Sequence, residues 1–143
     1  LEYNEDKKEW QFRDKSRRVY DIAATSEGVK KLSILDLLLG NHYLDNQSII
    51  LIDEVEANLH PSLISRLLDT ILSLANAGVQ FFIASHSYFV VKRLYIMAHK
   101  QAMCIPVLSF EDGACQVGDL QQEMPKNPIV DESINLYMDE ISL

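Results

Sequence analysis

At 143 residues the chain is long enough for one domain with a buried core, and its 48% hydrophobic and 24% charged content is ordinary for a globular protein. No apolar run approaches the roughly 18 uncharged residues of a membrane span, and the opening residues, acidic and basic by turns, are not expected to act as a signal peptide. A net charge of -8 argues against broad nucleic-acid binding, although residues 1–31 carry +1 and the remainder -9.

The sequence opens on Leu1 rather than methionine and is expected to be a piece of a longer chain. Residues 1–25 read as short strands. Glu9-Trp10-Gln11-Phe12-Arg13 and Arg18-Val19-Tyr20-Asp21-Ile22 alternate, with a polar turn at 14–17 between them. From Gly28 the period changes: Val29, Leu32, Leu35, Leu38 and Leu39 recur at helical spacing up to a stop at Gly40.

After a polar loop over 41–47, Ser48-Ile49-Ile50-Leu51-Ile52 is apolar without alternation. That pattern predicts a strand buried on both faces, as in a parallel sheet. Pro61 opens a second helix, where its missing N–H costs nothing. Leu63, Ile64, Leu67, Leu68, Ile71, Leu72 and Ala75 form its apolar stripe, and Gly78 closes it.

Residues 79–84 form the next strand, followed by Ser85-His86-Ser87 and a third helix through Phe89, Val90, Leu94 and Met97. Strand, helix, strand, helix with short joints is the βαβ pattern. Residues 105–110 and 114–117 flank Glu111-Asp112-Gly113, a tight hairpin turn. Residues 118–130 read as a loop with Pro125 and Pro128, and Asp131 is expected to cap a short helix over 132–141. Cys104 and Cys115 lack CxxC spacing and are expected to stay reduced, which implies a cytoplasmic setting.

Chemistry concentrates where strands end. One strand ends in Asp53-Glu54, the next leads to His86, and ligands of open parallel sheets sit beyond the carboxyl ends of strands. Adjacent strands lie only about 5 Å apart. If these two are neighbours, the three side chains converge on a volume the size of a phosphate group. A metal-dependent hydrolase using them directly would usually want a further ligand, and only the distant Glu111 and Asp112 offer one. His42 and His99 carry no comparable context, and His60 reads as structural, preceding the helix at Pro61.

These residues resemble a known family. Ser48-Ile-Ile-Leu-Ile-Asp53-Glu54 looks like the Walker B strand of ABC ATPases. Val55-Glu56-Ala57-Asn58-Leu59-His60-Pro61 looks like the D-loop of the SMC, RecF and OLD-like branch, with Val55 where many relatives have proline. Phe81 to Ser87 resembles the switch-histidine strand, and Ser26-Glu27-Gly28 the abbreviated signature motif before a long helix. The elements stand in family order over residues 24–90.

The resemblance implies an α/β, P-loop NTPase-like fold: a mostly parallel sheet flanked by helices, ending in an antiparallel hairpin. Residues 1–143 are then the C-terminal part of one ATPase head, with a lead-in over 1–25, the motif core over 26–119, and a loop and terminal helix over 120–143. It implies ATP and Mg²⁺ as cofactors. Asp53 would hold Mg²⁺, mostly through water, Glu54 would act as general base, and His86 would sense the γ-phosphate. Ser26 and the backbone N–H groups at Gly28 would cap the γ-phosphate bound by the opposite head, and Asn58 would lie on the same dimer seam. The implied partners are a second head, an N-terminal lobe, and DNA reached through the parent protein, with no membrane. One departure is large: GxxxxGK[ST] occurs nowhere, and Gly28, Gly40, Gly78, Gly113 and Gly118 fit no such loop. The N-terminal phosphate-loop lobe is therefore absent from this sequence, and the chain alone is expected to be inactive.

Overall fold

The computed structural model describes residues 2–5, 8–13, 19–21, 27–40 and 44–143. It divides into two compact units, Leu1–Ile83 and Ala84–Leu143.

In the first unit, β1 (Glu2–Asn4), β2 (Glu9–Arg13) and β3 (Val19–Asp21) form an antiparallel sheet with Tyr3 opposite Trp10 and Phe12 opposite Tyr20. β2 and β3 fall where alternation places them, while β1 is too short to show a period. The turn expected at 14–17 lies outside the described residues. Helix α1 (Glu27–Gly40) follows, then β4 (Ile49–Ile52), helix α2 (Pro61–Asn76) and β5 (Gln80–Ile83).

α2 shows why this segment is helical. His60, in extended conformation, caps it by accepting from the Ser62 N–H at 3.2 Å, and Pro61 occupies the first turn, where no donor is lost. Ile64, Leu67, Leu68, Ile71 and Leu72 are buried along one stripe. Each such side chain is worth roughly 1.5–3 kcal/mol of apolar transfer. Gly78 then turns the chain at φ +104, a region costly for other residues, and Val79 enters the core.

β4 and β5 are adjacent and parallel, with Ile49 opposite Gln80, Leu51 opposite Phe82 and Ile52 opposite Ile83. The sheets differ from the sequence expectation in two ways. Among the described residues this is the parallel component of the fold; the other strand pairs are antiparallel, so the sheet content is not mostly parallel. Nor is β4 buried on both faces: Ile49 is 58%, Leu51 78% and Phe82 52% exposed, because the paired register puts all three on one face. A continuous apolar run cannot distinguish a two-layer site from a one-layer site.

The second unit begins with α3 (Tyr88–Gln101), whose Val90, Met97 and Ala98 are buried and whose last turn carries His99 and Lys100 against the negative helix end. β6 (Pro106–Glu111) and β7 (Ala114–Asp119) form the expected antiparallel hairpin. Its two-residue turn has φ +47 at Asp112 and +79 at Gly113, the doubly positive geometry that suits the strands' twist. The ladder puts Cys115 opposite Phe110, near the turn, while Cys104 precedes β6 at the other end, so the two free thiols do not face each other.

Helix α4 (Pro128–Ile141) starts earlier than expected. Its cap is Asn127, not Asp131: the Asn127 Oδ1 accepts from the Val130 N–H at 3.0 Å, and Pro128 takes the first turn. Proline here starts the helix rather than interrupting it. Asn127 Nδ2 also donates to Ser109 Oγ at 3.2 Å, a buried bond that ties α4 to the hairpin. Among the described residues no helix is long and apolar enough to cross a membrane.

Candidate functional site

Asp53 and Glu54 follow directly on β4 and both are exposed. Past them the chain makes two successive turns, closed by Ala57 N–H donating to the Glu54 carbonyl and Leu59 N–H to the Glu56 carbonyl, each at 3.0 Å. Two residues of this stretch are left-handed: Glu54 at φ +45 and Asn58 at φ +59. Asparagine tolerates that region; for glutamate it costs about 1–2 kcal/mol.

Three contacts hold the strained turn. Val55 is fully buried in its middle, which contributes roughly 1.5–3 kcal/mol and by itself offsets the strain at Glu54. Lys31 of α1 donates from Nζ to the Glu54 carbonyl at 2.6 Å. Gly28, one helical turn before Lys31, is buried against the same segment: a Cβ there would lie 3.2 Å from the Asn58 carbonyl oxygen and would collide with the Leu59 side chain. The first turn of α1 and the turn after β4 are therefore one packed body.

Of the residues singled out from sequence, the first unit thus brings together Gly28, Asp53, Glu54 and Asn58. Ser26 lies outside the described residues. His86 belongs to the second unit, where it is exposed between Ser85 and Ser87, and Ser85 Oγ accepts from the Ser87 N–H at 3.1 Å just before α3. It follows by three positions Ile83, whose β5 partner is Ile52 of β4. Lys31 is a contact residue that the motifs did not single out.

Chemically, two neighbouring carboxylates stand at the C-terminal end of a parallel strand, where ligands of α/β sheets sit. Among the described residues no group of three or more His, Cys, Asp or Glu is placed to hold a metal ion. Carboxylate oxygens of this kind are donors that Mg²⁺ accepts.

A family model described as "AAA domain, putative AbiEii toxin, Type IV TA system" matches residues 2–92, from β1 into α3. Among solved structures, one described as "Structural biochemistry of ATP-driven dimerization and DNA stimulated activation of SMC ATPases" is similar over 94% of this chain and 73% of that chain, with a TM-score of 0.55 and 20% identity. At that identity the likeness concerns the fold. No curated protein matches the sequence.

Proposed function

Because this chain belongs to the family described as AAA domain, putative AbiEii toxin, Type IV TA system, we propose that residues 1–143 form the C-terminal part of an ABC-type ATPase head that binds and hydrolyses ATP in a head-to-head dimer. The observation that carries this reading is the packed turn after β4: Asp53 and Glu54 at the end of a parallel strand, held by Val55, Lys31 and Gly28.

In this reading Asp53 would hold a Mg²⁺ ion at the strand end. With ATP, that ion would supply neutralisation of phosphate charge. Glu54, at φ +45, accepts a proton from the attacking water. His86 contacts the γ-phosphate. Ser26 and the N–H groups at Gly28 face the nucleotide of the opposite head, with Asn58 on the same seam. The contact between Gly28 and the Asn58 segment supports this last pairing, since both would reach the seam as one body.

The phosphate loop comes from outside these residues, since GxxxxGK[ST] is missing from the sequence. The similar solved structure concerns ATP-driven dimerisation and DNA-stimulated activation of SMC ATPases. The resemblance of residues 24–90 to the SMC, RecF and OLD-like branch points the parent protein to DNA repair, DNA maintenance or defence against foreign DNA. The missing loop also favours a second reading, in which the ATPase-like core is a non-catalytic scaffold for a partner.

The deciding experiment measures ATP turnover and nucleotide-dependent dimerisation of this chain joined to a phosphate-loop lobe, wild type against Glu54→Gln. The ATPase reading expects hydrolysis by the wild type, a loss of about a hundredfold or more in the variant, and a trapped nucleotide-bound dimer. No response to nucleotide, with a silent substitution, establishes the scaffold reading instead.

A further inference from the structure

The second half of α4 presents an apolar surface that its own unit leaves open. The helix is anchored at its start, where Asn127 bonds Ser109 and Val130 is buried. The same helix face then runs outward through Ile134, Tyr137, Met138 and Ile141, spaced i, i+3, i+4 and i+7. Each of the four is between 49% and 62% exposed. A stripe that begins in a core and continues in the open has the form of a helix-docking surface rather than of scattered surface residues.

Charge identifies what fits it. α4 carries Asp131, Glu132, Asp139 and Glu140 and no Lys, Arg or His; helical spacing sets Asp131 and Glu140 on either flank of the stripe and Glu132 and Asp139 on the opposite face. Asp139 and Glu140 stand in the last turn, where the helix dipole is already negative and acids are unfavourable. A cationic partner would relieve that repulsion. A second copy of α4 would add to it, since parallel or antiparallel pairing sets acids near acids with no base between them. We infer that the exposed stripe of α4 is an interaction surface for an amphipathic helix of another protein that carries lysines or arginines beside its apolar seam. This surface does not depend on nucleotide binding by the first unit.

The test is a binding titration on the full 143-residue chain. The probe is a fluorescently labelled amphipathic helix with leucines at heptad positions a and d and lysines at e and g; the control peptide carries glutamates at e and g. Two variants accompany the wild type: Tyr137→Ser with Ile141→Ser, which interrupts the stripe at equal charge, and Asp131→Lys with Glu140→Lys, which reverses the two acids that flank it. The expected result is affinity for the lysine peptide at least about tenfold above that for the glutamate peptide. Interrupting the stripe removes that binding, and reversing the charges inverts the preference. Equal binding of both peptides, or of neither, overturns the inference. So does a stripe variant that still binds the lysine peptide, which would show diffuse attraction to an acidic protein. A concentration-dependent dimer abolished by the stripe variant would make a second copy the occupant, and likewise overturns it.

Discussion

Glu54 combines a side chain proposed for proton transfer with a backbone that its residue type resists. At φ +45 it bears the left-handed cost of about 1–2 kcal/mol, which glycine would not. Glycine in turn costs about 0.5–1 kcal/mol through the freedom it gives the unfolded chain. The difference predicts that Glu54→Gly is as stable as Glu54→Gln or up to about 1.5 kcal/mol more stable, with neither variant supporting turnover. Urea unfolding of the pair measures it. A Glu54→Gly protein clearly less stable than Glu54→Gln would mean that the turn depends on the side chain rather than enduring it.

Caps and ladders act at the scale of single elements, and α4 gives the sharpest case. Asn127→Ala removes both the acceptor for the Val130 N–H and the donor to Ser109 in a buried setting. The expected loss is about 1–2 kcal/mol, with faster hydrogen exchange in the first turn of α4. Exchange that stays unchanged there would show that Pro128 alone starts the helix.

The hairpin base titrates. Asp119 accepts from the Gln121 N–H at 2.9 Å and from the Ile105 N–H at 3.0 Å, and these bonds hold its carboxyl below the ordinary value, while the Cys104 thiol beside it is pushed up. A carboxylate with a lowered folded pKa stabilises above its unfolded pKa, and that contribution disappears as pH falls through the folded value. The Ile105 and Gln121 amide resonances should therefore lose their hydrogen-bonded shifts only in acid below the usual Asp range. In Asp119→Asn the acid step should vanish.

What was legible in the sequence follows from these forces. Pro61 and His60 announce α2, and Asp112-Gly113 announces the hairpin turn, because each residue type states its backbone geometry locally. Pro128 misleads, since the same ring ends one helix and begins another, and only the Asn127 side chain decides which. At the site, Asp53 and Glu54 are readable as a strand end. The bond from Lys31 to the Glu54 carbonyl is not, because it joins residues 23 positions apart through a main-chain atom that carries no sequence signal.

Across the whole molecule, apolar residues divide into those that hold the fold and those that do not, and hydrophobicity alone fails to separate them. Leu67 is 1% exposed within the α2 stripe, whereas Leu51 of β4 stands largely open beside Ile49 and Phe82. Leu67→Ala should cost about 3–5 kcal/mol through lost transfer energy and an unfilled cavity, a large share of the roughly 5–15 kcal/mol that stabilises a typical domain. Leu51→Lys removes almost no buried area and should change stability by less than about 1 kcal/mol. Its effect belongs to association instead. An apolar face on a two-stranded ribbon invites pairing with other chains, and a lysine on it opposes that pairing. Light scattering of Leu51→Lys at rising concentration should show less aggregation than wild type, and denaturation should show near-equal stability. If Leu51→Lys unfolds the protein as Leu67→Ala does, that face of β4 lies inside a layer of the folded chain, and its apolar residues belong to the core.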